Sequence, residues 1–194
     1  MGFTTTFLPS RSQHWVSGPM VPTDMVNPCS IEISERSFLA IQYANILEYQ
    51  VDPANPTSDD GWQDATKWPQ LRTSRGSWPG CAKVSSEKVV IAGGQGLSGS
   101  SLRSAEILDL STRKIQATYD LRDARRHFHI LTIRTNGIER AFALGGKQDD
   151  STWLDSVEEF DPENLTWRVA KAKLAKTRSF FGAVALPRSI VCQT

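Results

Sequence analysis

The chain has 194 residues, 39% of them hydrophobic and 22% charged, and a net charge of +1. That length suits one globular core. The near-neutral charge, with no basic face interleaved with aromatics, excludes a general nucleic-acid binder, which needs concentrated Lys and Arg; no apolar run approaches membrane-spanning length.

In chain order, "MGFTTT" fits a myristoylation pattern but leads straight into a predicted strand, and one acyl chain anchors only marginally, so the match is read as coincidence. There is no basic n-region or long apolar core of a secretory signal. "TTFLPSRSQHW" reads as a strand, a turn and the Trp15 of a second strand. "NPCSIEISERSFLAIQYANILEYQVDP" follows, with "ILEYQVDP" as its aromatic-Asp strand. The insertion "ANPTSDDG", rich in turn formers, then lengthens a surface loop before Trp62.

Next come "AKVSSEKVVIAGG" and "SAEILDL". Gly94, Gly96 and Gly99 fit the dinucleotide spacing G-x-G-x-x-G, which requires a helix to open behind it. Ala105, Ile107 and Leu108 make no helical stripe, so the match is read as accidental. A second copy supports that reading. Gly93-Gly94 returns 52 residues on as Gly145-Gly146, Glu106 as Glu158 and Asp109 as Asp161, whereas Gly96 and Gly99 become Gln148 and Ser151. Upstream, a more worn copy places Gln42-Tyr43 at the double glycine. Downstream, "SFFGAVALPRSIVCQT" supplies a predicted first strand and most of a second.

A period near 50 with a double glycine, an aromatic-Asp strand and then a tryptophan resembles the kelch repeat. Gly145-Gly146, Phe160-Asp161-Pro162 and Trp167 carry the resemblance best; Gly93-Gly94 with Leu108 and Ile115 carry it less completely. It implies an all-β, kelch-type β-propeller, galactose-oxidase-like in architecture. The expected layout is one domain over 1–194, with a half-blade at 1–20, four-stranded blades at about 21–68, 69–120 and 121–170, and a half-blade at 171–194. The two half-blades either complete a four-bladed ring or leave a partial propeller, which is the preferred arrangement. Bare edges of an open arc would then permit self-association. Trp15, Trp62 and Trp167 are expected to fill wedges between blades.

Fold does not give function. Cys29, Cys81 and Cys192 are an odd number without metal spacing, and read as small buried hydrophobes in a reducing, cytoplasmic setting. In that setting the sequon Asn164-Leu165-Thr166 is idle. His127 and His129 share a side of a strand, but no third ligand is nominated, so no metal, cofactor or catalytic residue is assigned. Copper oxidases on similar propellers use tyrosine, histidine and cysteine ligands at set places, and that pattern does not carry over. The expected function is a non-catalytic protein-interaction module, an adaptor or substrate receptor; the alternative is an oxidase-like or lyase-like propeller enzyme, or an inactive fragment of one. Candidate partner contacts are Arg75, Arg125, Arg126 and Arg178, which would suit an acidic peptide. The loops after the glycine pairs add Gln95, Ser98, Ser100, Gln148, Asp149 and Asp150. A competing reading has each recurring arginine brace its own blade.

Overall fold

A computed structural model describes residues 4–7, 16–20, 25, 27–55, 58–135 and 138–185. Short alternating segments separated by turn formers give thirteen strands among these residues, and no helix beyond two single 3-10 turns. β1 (Thr4–Phe7) and β2 (Val16–Met20) form a hairpin. β3 (Cys29–Ser34), β4 (Ser37–Gln42) and β5 (Asn45–Gln50) form a three-stranded sheet. β6 (Gly80–Lys83), β7 (Lys88–Ala92), β8 (Ala105–Asp109) and β9 (Lys114–Ala117) form a four-stranded sheet. β10 (His129–Thr135), β11 (Ile138–Leu144), β12 (Val157–Asp161) and β13 (Thr166–Val169) form another. Every sheet is an antiparallel meander. No helix among the described residues is long and apolar enough to cross a membrane.

The sheets stack face to face, and the period-two alternation of β7 shows how. Val89 and Ile91 enter a core with Leu39, Ile41 and Trp68 of the preceding sheet. Val90 and Ala92 enter a second core with Ile130, Ala141, Ala143 and Phe160 of the following one. Both faces of the middle sheet are therefore dry, which explains why "VVIA" is continuous rather than alternating. The first strands β3, β6 and β10 lie side by side.

The repeat is also visible where the sequence wears thin. Among the described residues β5 pairs with no fourth strand; a single bridge, Tyr49 to Trp62, stands at that place, as Phe160 pairs with Trp167 in the last sheet. The inserted loop forms a 3-10 turn at Asp59–Gly61 and re-enters at Trp62, whose Nε1 donates to the Met20 carbonyl at 2.7 Å. Trp62 packs edge-on to Phe38 and Tyr49, and Trp167 lies 4.9 Å from Phe160.

Two expectations change. The segment "FFGAVAL" is not a strand in its described part, residues 180–185. Nor are the cysteines all separate hydrophobes: Cys29 and Cys81 form a disulfide, with Cα atoms 5.9 Å apart, joining β3 to β6. That removes the ground on which a reducing compartment was expected. The reading of the Gly94, Gly96 and Gly99 spacing as accidental stands: these residues open no helix and turn the chain into β8. Trp15, Cys192 and the pairing of the two termini lie outside the described residues.

Candidate functional site

The glycine pairs are explained by what crosses them. Gly93 has φ +59°, and a Cβ there would lie 2.6 Å from the Arg125 carbonyl oxygen. Gly146 has φ +96°, and its Cβ would meet the Arg126 carbonyl oxygen at 2.8 Å. Glycine is needed both for the left-handed backbone and for the close approach of the loop that enters the third sheet.

That loop carries the recurring arginine, and the bracing reading describes two of the three. Arg75 and Arg125 are fully buried. Arg75 donates to the carbonyls of Gly93 (2.9 Å) and Ser104 (2.8 Å), and pairs with Glu106 at 2.9 Å. Arg125 donates to the Gly145 carbonyl at 2.9 Å and pairs with Glu158 at 2.6 Å. Each glutamate also accepts two backbone N–H groups, from Arg72 and Thr73 or from Arg122 and Asp123. These clamps fix the entry turn of each arginine's own sheet and leave no guanidinium for a partner. In the first sheet Met25 is buried against Ala40 and Leu47 instead. Arg126 is also buried, donating to the Gly99 carbonyl at 2.5 Å and pairing with Asp150 at 2.7 Å. Arg75, Arg125 and Arg126 are therefore corrected from partner contacts to internal ties, while Arg178 is exposed over Phe181.

The remaining candidates do reach the surface, except that Gln95 is half-buried with its amide on the Gly99 carbonyl at 2.8 Å. Ser98 and Ser100 bond each other at 2.8 Å. Asp149 caps its own turn through the N–H groups of Ser151 and Thr152, which holds its carboxyl below the usual range. Asp150 is neutralised by Lys147 and Arg126, and Gln148 is exposed. Arg126 thus stitches the two loops into one surface, from which Leu97 (83% exposed) and Trp153 (49%) project.

Beside these loops, at the entry to the first strands, lies a cleft of about 440 Å³. One position per repeat lines it: Asn27, Trp78, His127 and Phe180, all with φ between 52° and 61°. For Asn this is ordinary; for bulky aromatics it is uncommon and is held only by surrounding structure. Trp78 N–H donates to the Asn27 carbonyl and Phe180 N–H to the His127 carbonyl. The rings cluster, with His127 stacked on Phe180 at 3.6 Å between centroids and meeting Trp78 edge-on at 3.7 Å.

His127 is 6% exposed, and both its ring nitrogens are buried with no hydrogen-bond partner among the described residues. Burial first, then Lys147 and Arg126, push its pKa down to about 4, so the ring is neutral near pH 7 and offers one donor and one acceptor. Burial also lowers His129, which lines the same cleft. Among the described residues no three His, Cys, Asp or Glu side chains gather to hold a metal ion.

A stability effect follows from the His127 shift. Its folded pKa lies below the unfolded value, so its contribution is complete above about pH 6.5 and is lost as pH falls toward 4. The span from 6.5 to about 4 corresponds to at most about 3 kcal/mol. His127→Phe keeps the ring stack but cannot titrate. Urea midpoints of the wild type should fall more steeply than those of the variant between pH 6.5 and 4; parallel curves would refute this.

The sequence singled out His127 only as a paired ligand with His129, and it missed Trp78 and Phe180 as cleft residues. The available signal was the aromatic recurring behind each arginine. No protein-family model and no curated protein matches the chain.

Proposed function

We propose that the chain is built as a kelch-type β-propeller array and serves as a non-catalytic protein-interaction module. The repeat of glycine pair, acid and tryptophan supports the array, as do the face-to-face sheets and the adjacent first strands. The binding end is the one carrying the cleft and the two stitched loops.

The carrying observation is His127: a buried, neutral imidazole at the wall of a cleft, whose ring nitrogens find no partner among the described residues. Buried polar groups are normally paired, and a partner side chain or backbone group entering the cleft supplies what is missing. Leu97 and Trp153 add apolar anchors on the adjoining rim, the kind of contact that dominates protein interfaces. Three of the four arginines expected to select an acidic partner, Arg75, Arg125 and Arg126, are consumed internally, so the proposed partner segment is anchored mainly by apolar groups and hydrogen bonds rather than by charge.

The test is a random-peptide display selection on the folded chain, followed by calorimetric titration of the selected peptide. His127→Phe should weaken binding about tenfold or more, equivalent to about 1.4 kcal/mol. The pair Leu97→Ser and Trp153→Ser should weaken it independently. Failure to select any saturable binder, or affinity unchanged by both sets of variants, would refute the assignment.

A further inference from the structure

The sequon Asn164-Leu165-Thr166 lies in the hairpin between β12 and β13, with Asn164 exposed. This is the end of β12 remote from Gly145-Gly146, since Leu144 pairs with Val157 and Asp161 closes the other end. The Cys29–Cys81 disulfide is an independent observation bearing on it: stable disulfides belong to oxidising compartments, where the glycosylation machinery also works. Beside Asn164 is a hollow of about 360 Å³, lined also by Leu165, Gln116, Thr118 and Tyr119. Tyr119 is 70% exposed, and its N–H bonds the Leu165 carbonyl at 3.0 Å, which fixes the phenol's backbone against the sequon turn.

We propose that Asn164 carries an N-linked glycan whose first N-acetylglucosamine rests on the exposed ring of Tyr119. In the transfer, the Asn164 Nδ2 bonds C1 of the sugar as the C1–oxygen bond to a lipid diphosphate donor breaks. The amide gives up one proton to solvent through the transferase's base, and the lipid diphosphate leaves with the electron pair of the broken C1–oxygen bond. One N–H remains on Nδ2, so its bond to Asp161 Oδ2 at 2.8 Å can persist. The apolar face of a pyranose covers an exposed aromatic ring, which accounts for Tyr119 standing bare beside a hollow. A glycan here leaves the cleft end uncovered. Asn55-Pro56-Thr57 has the same outer residues, but its central proline blocks transfer, so it serves as an internal control.

Protein isolated from its native source is treated with peptide N-glycosidase in 18O water and mapped by mass spectrometry. Asn164 should be recovered as 18O-labelled aspartate and Asn55 as unlabelled asparagine, with Cys29 and Cys81 disulfide-linked. Recovery of Asn164 as plain asparagine, or of both cysteines as free thiols, would overturn the proposal. For the sugar platform, the full chain is produced through the secretory route of cultured cells, with and without enzymatic removal of the glycan. The glycan should raise Tm by about 2–4 °C, a shift that Tyr119→Ala largely abolishes. An equal gain in that variant would refute the role of Tyr119. Peptide binding at the His127 end is untouched by either outcome.

Discussion

Replacing Glu158 with alanine should cost about 3–5 kcal/mol of folding stability, because it strands a charged Arg125 in the protein interior. Arg125 is fully buried, and Glu158 is its nearest countercharge at 2.6 Å. The glutamate also accepts the Arg122 and Asp123 N–H groups, so two part-buried backbone donors lose their acceptor together with the ion pair. Burial lowers the Arg125 pKa, but the Glu158 charge opposes that fall and keeps the guanidinium ionised. Removing both charges is a different experiment. Arg125→Met with Glu158→Leu should recover most of the loss, since two apolar side chains of similar volume carry no desolvation penalty. Glu106→Ala should parallel Glu158→Ala, because Arg75 repeats the geometry. Urea unfolding checks all of these. A loss under about 1 kcal/mol for Glu158→Ala would mean that the arginine is solvated, as in a surface pair.

Breaking the Cys29–Cys81 disulfide should cost about 4 kcal/mol. The bond closes a loop over a sequence separation of 52, and the chain-entropy estimate for that length is about 4 kcal/mol. The structural consequence is local, because β3 and β6 are neighbouring first strands and the bond fixes one sheet against the next. Cys29→Ser and Cys81→Ser should therefore each lose about as much as the double variant. Thiol titration of the unreduced, denatured chain should find one thiol out of three cysteines. Three titrated thiols, or single variants as stable as the wild type, would contradict the pairing.

Much of the fold was legible because the repeat sets register. The glycine pairs mark the ends of β7 and β11, and Glu106 and Glu158 mark β8 and β12, as a period of 52 implies. The disulfide was legible too, in retrospect. Cys29 and Cys81 are also 52 apart, which places them on adjacent first strands, but an odd cysteine number drew attention away from spacing. The arginines show the opposite failure. A recurring arginine at the entry to a sheet reads equally as a surface contact or as a brace, and only burial separates the two. The cleft was hardest to foresee. It depends on left-handed backbone at Trp78, His127 and Phe180, residues whose own preferences argue against that conformation and whose placement comes from the loops around them.

The claim that the His127 end is the recognition surface is tested most directly by nitrogen-detected NMR of the histidine side chains during titration with a selected partner peptide. Three histidines make the spectrum simple to assign with His127→Phe as reference. The free protein should show a neutral His127 ring at pH 7 with both nitrogens unbonded. Saturation with peptide should shift a His127 nitrogen as it gains a hydrogen bond, together with the Trp153 indole signal on the adjoining rim. A saturated complex in which His127 and Trp153 keep their free-state shifts, while signals elsewhere move, would contradict the account.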